Sequence, residues 1–312
     1  MIEISIITPT YNGERFLAGT IQSVINQTAT EWEMIIVDDG SEDATVALAE
    51  TFIARNPRIK LIRQTNGGVA TARTRGYAES DPASQFILFL DQDDVLEPEA
   101  LQGLRDALTA DVEAVAAHGL ARYIDDQGCV WRPGEAEALT LKRFKVQGKR
   151  LIDVKGGEPT TFSTLVYRNC IWTPGQVLIR KTALAIAGPF NQQTAPCDDW
   201  DMWLRLTNQG HITAIEKVAL NFRRHSNNNS GNRKLMRSAE LALRRHLLEL
   251  TSSSKTKRNI ALIGYRYCEF HSGILTLRIA KQSLIQGHIL HSLKYLRHVF
   301  IFCARAVPGT PI

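Results

Sequence analysis

Three carboxylates fall within four positions at Asp91, Asp93 and Asp94, with Gln92 between the first two, directly after the apolar run FILFL at 86–90. Carboxylates so close repel one another, and a buried one costs several kcal/mol unless something neutralises it. No basic residue follows until Arg105, so the spacing calls for a neutralising group from outside the chain. A second acidic cluster, CDDWDMWLRL, places Asp198, Asp199 and Asp201 where a helix begins, and the helix dipole favours negative charge there. Gly67 and Gly68 precede a helix carrying Arg73, an arrangement that suits an anion, although a capping turn accounts for the same glycines. His225 follows Arg223 and Arg224 in FRRHSNNNS, a loop with the chemistry for phosphate contact.

The elements that must position these groups alternate in type. Apolar runs at 4–9, 34–37, 59–63 and 86–90 read as strands. Helical spacing separates them at Leu17, Ile21, Val24 and Ile25, at Thr45, Leu48, Ala49 and Phe52, from Gly67 to Tyr77, and from Pro98 through Leu108. Continuous rather than alternating apolar strands mean burial on both faces, hence a mostly parallel α/β sheet with helices on each side. In such sheets ligands bind outside the carboxyl ends of the strands. PTYNG, DDGS and DQDD all follow strands at that end. Further strands are expected at 121–124, 175–181 and 218–224, a helix at DDWDMWLRL closed by Gly210, and mostly helices from about residue 235. Residues 120–175 are otherwise hard to assign.

Composition sets the limits. A chain of 312 residues with 44% hydrophobic and 22% charged residues is ordinary for a soluble globular protein. Its five cysteines (129, 170, 197, 268 and 303) are scattered and include no CxxC pair, which fits free thiols in a reducing compartment. The N-terminus lacks the basic and apolar regions of a signal peptide, and no stretch has the apolar length of a spanning helix. Residues 233–312 carry 14 Lys and Arg against 3 acidic residues, so an acidic body bears a basic tail.

SIITPTYNG, TIQSVINQT, WEMIIVDDGSED, NGGVATART, FILFLDQDD and DDWDMWLRL resemble, in order and spacing, the family 2 glycosyltransferases of GT-A fold over about residues 3–230. The resemblance implies a Rossmann-like, nucleotide-sugar-binding sheet and inverting transfer of a sugar from a nucleotide-diphosphate donor to an acceptor hydroxyl, in cell-surface polysaccharide or glycolipid synthesis. It implies a catalytic domain over 1–231, divided into a nucleotide-binding half (1–110) and an acceptor half (111–231), followed by a basic helical region (232–312). By the same resemblance Asp91 and Asp93 form the Asp-x-Asp motif that holds Mn²⁺ or Mg²⁺, with His225 reaching the metal or the diphosphate. Pro9, Tyr11, Asp38, Asp39, Gly67, Gly68, Arg73, Asp91 and Gln92 line the donor pocket, with Tyr11 near the base and Asp39 on the base or ribose. The catalytic base falls to Asp199, with Asp198 as the fallback, because this chain has Asp-Asp where Glu-Asp is commoner. Trp172 and Gly175 sit at the family's acceptor pocket, while Trp200, Trp203 and Leu204 pack.

A nucleotidyltransferase and a non-catalytic nucleotide-sugar-binding module are the competing readings. PTYNG brings no early Lys, against the first, and the retained acidic motifs argue against the second. A processive synthase would bring an Arg-Trp pair, and the sequence has none. Nucleic acid is not expected as a partner. Around 281–305, Ile285, Ile289, Leu293, Leu296, Phe300 and Cys303 keep helical spacing beside Lys281, Lys294, Arg297 and Arg305. Such a helix either packs on the domain or docks on an anionic membrane, which would place a cytoplasmic enzyme at the inner face beside a lipid-linked acceptor.

Overall fold

The structure, a computed structural model, describes residues 2–131, 142–226, 228, 232–286, 293, 296, 298 and 299. Ten strands are found among them: β1 (Ile4–Thr10), β2 (Trp32–Asp38), β3 (Ile59–Arg63), β4 (Phe86–Phe89), β5 (Val95–Leu96), β6 (Ala114–Ile124), β7 (Arg143–Gln147), β8 (Arg150–Val154), β9 (Val177–Arg180) and β10 (His211–Arg223). Eight form one sheet in the order β3-β2-β1-β4-β9-β6-β10-β5, and β7 and β8 form a separate hairpin. The β3-β2-β1-β4 half is parallel, β9 runs antiparallel between β4 and β6, and β6 pairs in parallel with β10. The sheet is thus mixed and mostly parallel, as the strand–helix alternation predicts.

The unbroken apolar strands are explained by two cores, one on each face. Ile6, Met34, Ile36, Leu88 and Leu178 pack against α1 (Leu17–Ile25), α2 (Thr45–Ile53) and α4 (Ala100–Ala110). Ile7, Ile87, Phe89 and Ile179 face the opposite layer. There α3 (Val69–Ala78) lies so close to the sheet that a Cβ on Gly76 would sit 2.4 Å from Ile7 Cγ2. Further α-helices among the described residues are α5 (Phe162–Leu165), α6 (Lys181–Ala187), α7 (Asp198–Leu206), α8 (Arg233–Leu250) and α9 (Lys255–Ile285).

Two expectations shift. β6 begins seven residues before 121, because Ala114, Ala116 and Ala117 are fully buried between β9 and β10 where only small side chains fit. The unassigned stretch contains the β7–β8 hairpin, turning at Gly148 with φ of 59°. α7 ends at Leu206, one turn before the expected stop at Gly210.

The basic region does not stand apart from the sheet. Leu243 and Leu247 of α8 and Ala261 of α9 share a core with Trp200 and Trp203 of α7. Arg244 is 1% exposed, donates to the carbonyls of Val166 and Tyr167, and lies 4.8 Å from the Trp200 ring centre. Gly264 of α9 has its Cβ position 2.7 Å from the Val166 carbonyl oxygen, so α9 rests directly on the chain after α5. The amphipathic helix expected around 281–305 lies largely outside the described residues. Among the described residues no helix is long and apolar enough to cross a membrane.

Candidate active site

The carboxyl ends of β1, β2 and β4 open into a cleft of about 1340 Å³ that also receives the start of α7 and parts of α8 and α9. Pro9, Tyr11, Asp39, Gly68, Arg73, Asp91, Gln92, Asp93, Asp198, Asp199 and His225 all line it. Asp38 and Gly67 do not appear on its wall.

Tyr11 leaves β1 and is 46% exposed. Gln92 clamps the backbone beneath it: Oε1 accepts from Tyr11 N at 2.9 Å and Nε2 donates to Tyr11 O at 3.1 Å. Thr10 Oγ1 donates to the same Oε1 at 2.5 Å. Gln92 therefore fixes Tyr11 by joining the ends of β1 and β4. Asp39 performs a similar task on the other side. It accepts from Gln64 Nε2 at 2.7 Å and from the amides of Gly67 and Gly68 at 2.8 Å each. Gly68 needs φ of 84°, a conformation open to glycine, to present its amide in this turn. Asp38 instead points into the protein, fully buried, and bonds Ser41 N at 3.2 Å with Arg63 3.6 Å away.

Arg73 is the pivot between the two acidic clusters. Its guanidinium is buried, donating to Asp91 Oδ1 at 2.7 Å and to Asp198 Oδ2 at 2.8 Å. At the start of α3 the guanidinium thus bridges two carboxylates, and both keep it protonated despite its burial. Asp93 pairs with His225 Nε2 at 2.8 Å, and that ring packs against Phe16 at 4.9 Å between centres. Asp94 turns away: fully buried, it accepts from Thr173 Oγ1 at 2.8 Å and from Arg223 N at 3.1 Å. Burial, then the charges of Asp93 and Asp91, push its carboxyl well above the usual range. Burial also pushes Asp91 up, against the pull of Arg73.

Asp198 and Asp199 are distinguished by their partners. Asp198 is tied to Arg73, whereas among the described residues the half-buried Asp199 carboxylate accepts one hydrogen bond, from Trp200 N at 2.6 Å. Burial and the neighbouring Asp198 charge push Asp199 up to about 8. Asp201 serves the fold, bonding Arg205 at 2.8 Å and His246 of α8 at 2.6 Å.

Residues 5–170, more than half of the chain, match the profile of Glycosyl transferase family 2. The chain belongs to that family. It is 27% identical over 233 residues to a chondroitin synthase of Escherichia coli, covering 73% of this chain but 30% of the relative. An uncharacterized glycosyltransferase of Bacillus subtilis, EpsJ, is 30% identical over 165 residues, covering 53% of this chain and 46% of the relative. The chain thus spans less than half the length of either. Among solved structures, S. aureus TarS 1-349 in complex with UDP-GlcNAc superposes with a TM-score of 0.57 at 17% identity, covering 95% of this chain and 91% of that one. At this identity the likeness is one of fold, and the fold is that of the GT-A glycosyltransferases.

The acidic pair at the end of β4 meets part of what a hard cation needs. Asp91 and Asp93 sit at one wall, and one guanidinium serves both Asp91 and Asp198, so the acidic groups outnumber their neutralising partners. Among the described residues no three His, Cys, Asp or Glu groups close a metal cage. Two carboxylates completed by substrate phosphates is the usual arrangement for Mg²⁺.

Several cleft residues carried no sequence signal. Met236, Arg237 and Glu240 of α8 and Cys268, His271 and Ser272 of α9 reach it only through tertiary packing. Trp172 lines the cleft stacked on Tyr123 at 4.7 Å between ring centres. Gly175 does not; its Cβ position is 2.8 Å from Leu220 Cδ1, so its place is in packing. Trp200 and Trp203 are buried, with Trp200 Nε1 donating to Leu165 O at 2.9 Å.

Proposed function

We propose that the protein transfers a sugar, with inversion, from a UDP-linked donor to an acceptor hydroxyl in the synthesis of a cell-surface polysaccharide or glycolipid. The observation that carries this reading is the meeting, in one cleft, of Asp91 and Asp93 with an Asp199 carboxylate that makes no ion pair among the described residues. The acceptor oxygen attacks the anomeric carbon, its proton passes to Asp199, and the bond from that carbon to the diphosphate oxygen breaks, releasing UDP. Asp91 and Asp93, with His225 beside Asp93, would hold Mn²⁺ or Mg²⁺, whose Lewis acidity stabilises charge developing on the leaving diphosphate. Tyr11 offers its exposed ring to the base, and Asp39 keeps a lone pair beyond its three loop donors for a base N–H or ribose hydroxyl. Arg73 positions both acidic clusters. UDP as the carrier follows the bound nucleotide named for the TarS fold relative.

A thermal-shift panel of UDP-, GDP- and dTDP-sugars, each with and without Mn²⁺, tests the donor. A ligand at 100 times its dissociation constant adds about 2.7 kcal/mol of stability. The expected result is a shift with a UDP-sugar that grows with Mn²⁺; a larger shift with GDP or dTDP overturns the choice of carrier.

The reading extends to the inner face of the membrane. On α9, Phe270, Leu277 and Leu284 are exposed at seven-residue spacing, near Arg278 and Lys281. Co-sedimentation of the full chain with anionic vesicles at low salt, lost at high salt, is the expected result. No co-sedimentation at low salt returns these residues to an ordinary helix surface.

A further inference from the structure

We infer that the cleft has an acceptor arm, walled by the loop at 167–172 and by helices α8 and α9, and that it takes a saccharide or polyol chain bearing an anionic group recognised by Arg168. The inference rests on the donor-transfer reading above.

Space is the first argument. A single small-molecule pocket commonly measures 300–1,000 Å³, and this cleft of about 1340 Å³ exceeds it. Besides Asp199 and Trp200, its wall includes Arg168 and Asn169 on the loop, Glu240 on α8, and His271 and Ser272 on α9. Trp200, next to Asp199, bonds the Leu165 carbonyl and packs against Arg244, which holds the Val166 and Tyr167 carbonyls. This part of the wall therefore adjoins the Asp199 segment, where an acceptor hydroxyl must deliver its proton.

Rigidity is the second. Arg244 ties α8 to the carbonyls of Val166 and Tyr167, and Gly264 brings α9 against the backbone of Val166. The Tyr167 hydroxyl shares a hydrogen bond of 2.9 Å with His271 Nδ1, and among the described residues Nε2 makes none. The loop and both helices are thus held as one wall, with little ordering left for a ligand to impose.

Charge is the third and selects the ligand class. The other cations on the wall are engaged: Arg15 with Asp126, Arg73 with Asp91 and Asp198, Arg237 with Glu240 and Glu269. Among the described cleft-lining residues Arg168 is the cation with no carboxylate partner, and it is exposed. A planar guanidinium there matches a carboxylate or a phosphodiester in two-point fashion. Sugar hydroxyls would meet Asn169, His271 and Ser272.

The test uses the full-length protein with Mn²⁺ and the UDP-sugar that gives the largest thermal shift. Three primers are offered: a uronate-containing tetrasaccharide, a glycerol-phosphate trimer and neutral chitotetraose. Transfer is expected to an anionic primer, and which of the two responds tells carboxylate from phosphodiester. Arg168→Glu, on an exposed loop, is expected to raise that primer's KM at least tenfold while UDP affinity stays within twofold. Ser272→Trp, which fills the arm from α9, is expected to do the same. An unchanged primer KM in Arg168→Glu, a preference for chitotetraose, or transfer to none of the three while UDP still binds overturns the inference. Failure of the unaltered protein to bind any of the UDP-, GDP- or dTDP-sugars overturns the donor-transfer reading, and this one with it.

Discussion

Asp199→Asn is expected to lower kcat by ~10²–10⁴, the usual contribution of a general base, with UDP affinity nearly unchanged. The amide is isosteric, so the backbone bond from Trp200 N can persist on the amide oxygen while the proton acceptor is lost. Asp198→Asn should act differently, because Asp198 is the partner of Arg73 and Asp199 is not. Removing the Asp198 charge takes away a repulsion that raises Asp199. The free enzyme's kcat/KM should climb with pH towards about 8 as Asp199 loses its proton, and the climb should move to lower pH in Asp198→Asn. Stability has the opposite dependence. From the ordinary 3.8 up to about 8 the folded chain holds this proton and the unfolded chain has released it. The Asp199 contribution to stability therefore declines as pH rises through that window, and Asp199→Asn should remove the decline. Kinetics and urea melts across pH 5–9 check both. If Asp198→Asn is crippling and Asp199→Asn mild, the base is Asp198.

The parts of this molecule legible in its sequence are those where local pattern and final environment agree. FILFL and MIIV read as strands buried on both faces, and the apolar clusters on either side of Leu88 and Ile87, and of Ile36 and Ile35, explain why they carry no alternation. The acidic clusters were visible because charge after an apolar strand is locally costly and needs a reason. Their connection was not visible: Arg73 lies 18 residues from Asp91 and 125 from Asp198, and only the packing of α3 against the sheet brings it between them. Gln92 and Asp39 illustrate another limit. Both lie in recognisable motifs, yet much of their hydrogen-bonding capacity goes to Tyr11 and to the glycine turn, which spacing cannot reveal. β6 was shortened because an Ala-rich run has weak strand propensity, and its fit between β9 and β10 is a tertiary matter. The contribution of α8 and α9 to the cleft had no signal at all, since Glu240, His271 and Ser272 read as ordinary surface positions on basic helices.

Chelation is expected to abolish transfer, and Asp93→Asn to do so with the fold intact. The physical case is the imbalance at the end of β4. Asp91 is pushed up by burial with Asp93 adding to the effect, and Asp94 is pushed up further by both, so this corner holds more negative charge than the protein neutralises. Arg73 cannot make up the difference, being shared with Asp198. A donor diphosphate would add further negative charge, and nearby it would be repelled unless a cation stood between. Asp93 is the better of the two to alter, because Asp91→Asn would also loosen Arg73 and, through it, Asp198. Among the described residues the Asp93 carboxylate hydrogen-bonds to His225, and Asn preserves that contact. The prediction has a readout besides turnover: the thermal shift given by UDP should grow with Mn²⁺ in the unaltered protein and lose that increment in Asp93→Asn. Melting without nucleotide should remain cooperative and within a few degrees of the parent. Full transfer in excess chelator, or a Mn²⁺ increment that survives Asp93→Asn, would show that the charge at this corner is balanced in some other way.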